Sequence, residues 1–381
     1  MFVVYFNDEK QPPRFDTTDD FTQRESAVAT GLLNEEPICL DFWWLGQKAT
    51  MYLESPKGKT RRTGLEPIST FGKNLYSEQF DESLPPKQAR DLPLVARYST
   101  ADIHTGRKIS IEKFKEYRQK PSFGYYESLA GDGFLRYWTK RLLILQEAET
   151  GTTEIQSVRQ ALQEALGENG CGIINDIDIR HNRSKVYYHF TDGRKIDTDK
   201  LSDGYRRLVS IVMDIAFRCV ILNQGVFDAN ACRQTCGTVL IDEIDLHLHP
   251  SLQSLVLPSL RRAFPRLQFI VTTHAPMVMS GVPNDERNGI YYLQYTSQNG
   301  YTVKPIILHG MDASTILETG LDIIPRSKDV DTELEKLFRA IDDNNLHEAR
   351  ELLQAMRTKH GEYLPDLAKA EAMLNFFDET E

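Results

Sequence analysis

The residues best equipped for chemistry lie in the second half of the chain. Thr238-Val239-Leu240-Ile241-Asp242-Glu243 is an apolar run that delivers two adjacent carboxylates. A strand ending this way can offer one carboxylate to a hydrated divalent cation and the other to an attacking water. A second apolar run, Phe269-Ile270-Val271-Thr272-Thr273, ends in His274, 31 residues beyond Glu243. A strand-terminal His beside an acidic strand can reach a terminal phosphate. Between the two runs, Ile244-Asp245-Leu246-His247-Leu248-His249-Pro250 adds a third carboxylate and two imidazoles. Upstream, Leu201-Ser202-Asp203-Gly204-Tyr205-Arg206-Arg207 precedes a helical run whose apolar face is Val209, Val212, Met213, Ala216 and Val220. Ser202 or Asp203 is the expected N-cap. A helix start opened by Ser and Gly offers free N–H groups and a positive dipole to an anion, and Arg206 and Arg207 add charge nearby.

Each segment alone is ordinary: an Asp-Glu pair is often an acidic turn, and Ser before a helix is often only a cap. In this order and spacing they resemble the ABC-type AAA ATPases of the RecF and SMC-like branch, over roughly residues 90–310. The resemblance implies that Asp242 holds Mg²⁺ through its water shell and that Glu243 is the catalytic base of a Walker B strand. It implies that His274 is the switch histidine on the γ-phosphate and that Asp245 links two protomers across a dimer, with His247 and His249 as packing and interface residues. Ser202, Asp203, Gly204 and Arg206 match the signature segment that binds nucleotide held by the partner head. The match reads LSDG where many relatives have LSGG, which reduces backbone freedom at the third position. The implied cofactors are ATP and Mg²⁺, and the implied assembly is a homodimer.

A phosphate loop of the form Gly-x-x-x-x-Gly-Lys-Ser/Thr cradles phosphates with backbone N–H groups and its Lys. No segment of the sequence has this form. Gly58-Lys59-Thr60 carries the last three residues, but Leu53 stands at the first glycine position and Pro56 where an N–H is needed. Gly167-Glu168-Asn169-Gly170-Cys171-Gly172 has the glycine spacing, but Ile173 and Ile174 follow in place of Lys and Ser/Thr. A helix-to-hairpin loop explains those glycines without a ligand. In the resembling family this loop lies near the N-terminus, so the expectation is a head whose N-terminal part is incomplete, by truncation or as a degenerate form.

The elements that must position these residues follow from hydrophobic periodicity. Ile38–Trp44 and Ala49–Leu53 read as a hairpin about Gly46, residues 55–92 as a surface excursion, and Leu92–Tyr98 as the next strand. Residues 125–166 carry helical spacing, within a helical lobe placed at about 105–166. Ile173–Ile179 and Val186–Phe190 read as strands about a turn at Asn182-Arg183. From 202 to 308, helices alternate with short apolar strands expected to be buried on both faces. From about Arg326 three amphipathic helices follow, resembling one TPR-like unit. The expected class is therefore α/β: an ABC-type P-loop NTPase head over 1–325 with a helical insertion, and a C-terminal helical hairpin tail over 326–381.

Composition is compatible with an ordinary folded chain. The 381 residues are 40% hydrophobic and 26% charged, and allow one large or two unequal domains. With a net charge of −10, any nucleic-acid contact has to come from a local basic patch. No export signal is read at Met1–Lys10. The apolar stretch Leu208–Phe227 carries Asp214 and Arg218 at i,i+4, which suits a buried helix better than a membrane span. Cys39, Cys171, Cys219, Cys232 and Cys236 are odd in number and scattered, as expected of cytoplasmic thiols. Cys232 and Cys236 lack a second pair at zinc-ligand spacing.

The expected function is an ATP-binding and ATP-hydrolysing dimeric switch that gates an effector. The tail resembles those of stand-alone ATPases in bacterial anti-phage systems of the Septu and retron-associated types, which implies an HNH-type nuclease as partner. Two alternatives stand beside it: a non-catalytic scaffold that docks a nuclease or nucleic acid, and a RecF-like repair ATPase.

Overall fold

The computed structural model describes residues 38–44, 47–53, 61–64, 66, 70, 91–100, 121–126, 128–129, 135–149, 151–296, 300–321, 323, 326–361 and 363–380. Contacts divide the chain at Gly281/Val282 into two compact units.

In the first unit, β1 (Ile38–Trp44), β2 (Gln47–Leu53) and β3 (Arg61–Thr63) form an antiparallel sheet in that order. The hairpin read from sequence is present, with Ile38 opposite Leu53 and Trp44 opposite Gln47. The Arg-Arg-Thr strand that joins it has no apolar alternation by which to be recognised. After β4 (Leu94–Tyr98) come α1 (Leu135–Glu147) and α2 (Thr152–Leu166), the described part of the helical lobe, whose first portion lies outside the described residues. An antiparallel sheet follows: β5 (Ile174–Arg180), β6 (Lys185–Phe190) and β7 (Lys195–Asp197), with β5 and β6 turning at His181–Arg183. Then come α3 (Asp203–Phe227), β8 (Gly237–Ile241), α4 (Pro250–Ala263) and β9 (Leu267–Val271).

The site depends on the parallel sheet β4-β8-β9. Tyr98 pairs with Ile241 and Ile241 with Val271, so the three strands end level. The ladder continues one step past them, with Asp242 N donating to Tyr98 O (2.9 Å) and Thr272 N to Ile241 O (3.0 Å). Leu94, Ala96, Tyr98, Val239 and Ile241 are buried in the core that α2 and α3 share. The expectation of burial on both faces does not hold throughout. It fails on β9, where Gln268 is exposed and Ile270 is 51% exposed, and Arg97 is exposed on β4, while β8 between them has no exposed residue.

The long apolar stretch Asp203–Gln234 is long and apolar enough to cross a membrane, but 78% of its most apolar window is buried within the fold. Its charged pair Asp214 and Arg218 sits in the core as a network. Asp214 accepts from Tyr98 Oη (2.7 Å), Trp138 Nε1 (2.5 Å) and Arg218 Nε (2.6 Å). Arg218 Nη1 donates to the carbonyls of Gly124 (2.8 Å) and Tyr126 (2.9 Å), and the guanidinium lies 5.9 Å from the Trp138 ring centroid. Burial, then the Asp214 charge, push the Tyr98 phenol well above its ordinary pKa, which keeps it a neutral donor.

In the second unit, β10 (Ile290–Thr296) and β11 (Gly300–Ile306) form their own two-stranded antiparallel sheet instead of extending the parallel one. The tail is a hairpin of α5 (Lys328–Asp342) and α6 (Leu346–His360) with a third helix, α7 (Pro365–Thr380). Leu334, Leu337, Ile341, Ala349, Leu353, Met356, Leu367, Ala370 and Leu374 form its core, on the faces the sequence spacing indicates. Glu333 ties α5 to the end of α6 by accepting from Lys359 and His360.

Candidate functional site

Because β8 and β9 end level, Asp242 and Thr272 emerge side by side. Thr272 Oγ1 donates to Asp242 Oδ1 (2.6 Å) and accepts from Glu243 N (2.8 Å). One hydroxyl therefore orients the first carboxylate and the backbone of the second. Glu243 has φ +45°, a left-handed value that a non-glycine residue adopts only when its surroundings hold it there. The chain then turns tightly: Leu246 N donates to Glu243 O (3.0 Å), Leu248 N to Asp245 O (2.9 Å), and His247 is again left-handed at φ +63°. Thr273 Oγ1 donates to Asp245 Oδ1 and accepts from Ala275 N. His274 follows directly and is exposed. At the two strand ends Thr272 thus meets Asp242 and the backbone of Glu243, Thr273 meets Asp245, and His274 is the next residue in the chain. His249 caps α4, its Nδ1 accepting from Ser251 N (3.3 Å).

The signature-like segment starts α3. Ser202 occupies the N-cap position with φ −61° and ψ 157°, and its carbonyl accepts from Arg206 N, but its hydroxyl makes no capping bond. Ser202 and Asp203 are exposed. Gly204 is buried against the acidic turn, where a Cβ would stand 2.3 Å from the carbonyl oxygen of His247. Only glycine permits that approach. Gly204→Ala is therefore expected to cost about 1–3 kcal/mol by overpacking. Gly225→Ala in the same helix, where the added Cβ meets nothing within 4 Å, is expected to gain up to about 1 kcal/mol. Urea titration of both variants checks the contrast; equal midpoints would show that Gly204 does not need its missing Cβ.

The two arginines divide differently from the sequence reading. Arg206 donates to Asp203 Oδ1 (3.2 Å), Asp199 O (3.2 Å) and Leu201 O (2.9 Å), bracing the loop that presents Ser202. Arg207, read as extra charge nearby, is buried and donates from Nη2 to the carbonyls of Asp242 (2.5 Å) and Glu243 (3.1 Å). Helical spacing held the signal, since Gly204, Arg207, Leu208 and Ile211 share the inward stripe of α3 while Arg206 does not. Thr272 and Thr273 gave no such signal, because their roles depend on the register between β8 and β9.

Of the two weak phosphate-loop segments, Gly58-Lys59-Thr60 lies outside the described residues. Gly167–Gly172 is a turn that closes α2: Gly167 N donates to Gln163 O (2.9 Å), Cys171 N to Ala165 O (3.0 Å), and Gly172 has φ +68°. As for a metal, no group of three or more His, Cys, Asp or Glu is gathered among the described residues. Asp242, half-buried with one oxygen engaged by Thr272, suits an ion that keeps most of its water and takes further ligands from phosphates, as Mg²⁺ does.

Residues 65–280 match the family model described as "AAA domain, putative AbiEii toxin, Type IV TA system". The chain is 33% identical over 208 residues to "Retron Vc95 probable ATPase" of Vibrio cholerae serotype O1 biovar El Tor, covering 53% of this chain and 40% of that protein. It is 40% identical over 128 residues to "Retron Ec83 probable ATPase" of Escherichia coli, covering 33% and 22% respectively. It is 35% identical over 141 residues to "Septu protein PtuA" of Bacillus mycoides (strain KBAB4), covering 34% and 19%. The chain thus spans less than half the length of these curated relatives. Among solved structures, the SMC head domain from Thermotoga maritima aligns over 71% of this chain and 73% of its own with a TM-score of 0.32 and 11% identity, too distant to carry an argument.

Proposed function

Because the chain belongs to the AAA-domain family whose model matches residues 65–280, we propose that it binds Mg²⁺-ATP and hydrolyses it as an ABC-type ATPase. The observation that supports this reading is the level ending of β8 and β9, at which Thr272 Oγ1 donates to Asp242 Oδ1. Asp242 holds the metal's water shell with the oxygen that Thr272 leaves uncommitted, and Glu243 takes the proton of the attacking water. His274 donates to the γ-phosphate. Mg²⁺, when bound, neutralises charge on the β- and γ-phosphates. The start of α3, with Ser202, Asp203 and Gly204 and the brace from Arg206, faces nucleotide on a second copy, and Asp245 lies at that junction.

In this reading the protein is a cytoplasmic homodimer with a head over 1–325 and a helical tail over 326–381. Its nucleotide state switches a partner effector, an HNH-type nuclease, in anti-phage defence, and the retron and Septu relatives support that setting. A second reading, a scaffold that docks a nuclease or nucleic acid without turnover, is favoured by one observation: the sequence contains no Gly-x-x-x-x-Gly-Lys-Ser/Thr segment.

Titration of the purified chain with ATP, with and without Mg²⁺, separates the two. Magnesium-dependent saturation that weakens about 10–100-fold in Asp242→Asn supports the ATPase. No saturable binding by either protein leaves the scaffold.

A further inference from the structure

We propose that Arg207 is a positioning residue for Glu243. Its buried guanidinium holds the main chain of the acidic turn in the left-handed conformation that aims the Glu243 carboxylate. The inference rests on the reading of Glu243 as the base that activates water, and it concerns a residue that touches neither nucleotide nor water.

Four observations meet at this side chain. Arg207 is only 6% exposed, a degree of burial that arginine rarely reaches without a full set of partners. Its Nη2 alone makes both bonds to the turn, to the carbonyl oxygens of Asp242 and Glu243. Its Nε and Nη1 are buried and have no hydrogen-bond partner. The residue it grips, Glu243, has φ +45°, and that strain needs something to hold it. A buried cation with unused donors is costly, and an apolar side chain of the same size would pack there more cheaply. Stability therefore gives no reason for an arginine at this position, whereas control of the turn does.

Charge supplies the second half of the reason. The turn carries Asp242, Glu243 and Asp245 within four residues, and repulsion among them favours opening it. Arg207 is the cation set beneath them. Burial lowers its pKa, and the charges of Asp242, Glu243 and Asp245 oppose that effect. The second tether of the same turn, the contact of Gly204 with the His247 carbonyl, carries no charge. Removing Arg207 would thus leave the turn attached to α3 at Gly204 and to β9 through Thr272 and Thr273, but without its charged grip on the Asp242 and Glu243 carbonyls.

Three proteins test this: the wild type, Arg207→Met and Arg207→Lys. Met keeps the volume and removes both the donors and the charge. Lys restores a point-like donor, which suffices because one nitrogen makes both bonds. The activity-independent measurement is amide hydrogen exchange over residues 242–248. Exchange of the Ile244 and Leu246 amides is expected to quicken about tenfold or more in Arg207→Met and to return toward wild type in Arg207→Lys, with the melting temperature of Arg207→Met no lower than wild type. In steady-state hydrolysis, Arg207→Met is expected to lose about 100-fold in kcat at unchanged KM, the scale of a small misplacement of a catalytic group. Unchanged exchange over 242–248 in Arg207→Met overturns the inference, as does a loss that Lys does not restore. A wild type that hydrolyses no ATP would instead refute the ATPase reading, and the exchange data would still decide whether Arg207 holds the turn.

Discussion

Glu243→Gln is expected to lower kcat for ATP hydrolysis by about 10²–10⁴-fold, the usual worth of a general base, while Mg²⁺-ATP binding stays within about threefold of wild type. The separation follows from how the residue is held. Glu243 is fixed through its backbone, by Thr272 Oγ1 at its N–H and by Arg207 at its carbonyl. The side chain makes no part of that frame, so an isosteric amide leaves the turn and the Asp242 carboxylate in place. Only the capacity to take a proton is removed. Single-turnover hydrolysis beside equilibrium nucleotide binding measures both quantities on one preparation. A kcat within about threefold of wild type would mean that another group activates the water. A parallel collapse of binding would mean that the carboxylate itself holds the metal, with the roles of Asp242 and Glu243 exchanged.

Asp214→Ala is expected to cost about 3–5 kcal/mol of stability, because it leaves the Arg218 guanidinium charged, buried and without its counter-ion. Against the total of about 5–15 kcal/mol typical of a folded domain, that is a large share. The carboxylate also collects the Tyr98 hydroxyl and the Trp138 indole, so the variant strands two further donors. These partners come from β4 and α1, and the damage reaches the strand whose last carbonyl accepts from Asp242 N. Replacing both charges together, as in Asp214→Leu with Arg218→Met, is expected to cost less than Asp214→Ala alone, since no isolated charge remains. Urea unfolding followed by Trp fluorescence gives the comparison. A loss under about 1 kcal/mol for Asp214→Ala would show that the network is relaxed by water and not by its own members.

Much of the candidate site was legible because apolar runs bounded by polar residues mark strand ends without reference to a fold. Asp242, Glu243 and His274 stand where such runs stop, and the tail helices announce their inward faces by spacing at every turn. Other features left no local trace. The strands β3 and β7 are three residues each and exist only because a neighbour presents a free edge. The strand β9 is less buried than its apolar run suggests, because a continuous apolar run does not say how many faces are covered. Arg206 and Arg207 are adjacent and chemically identical, yet a rotation of about 100° along the helix sends one to brace a loop and the other beneath the acidic turn.

The sequence by itself determined the alternation of helices and strands, the order of the acidic, histidine and Ser-Gly segments, and the helical tail, because these depend on periodicity and composition within single segments. The tertiary structure alone decided that Thr272 orients Asp242 and that Arg207 grips the turn at Glu243. It alone required glycine at position 204. Each of these depends on the register between two strands or on the approach of a helix to a turn about 40 residues away in the chain, and such distances are set by packing, which no local pattern encodes.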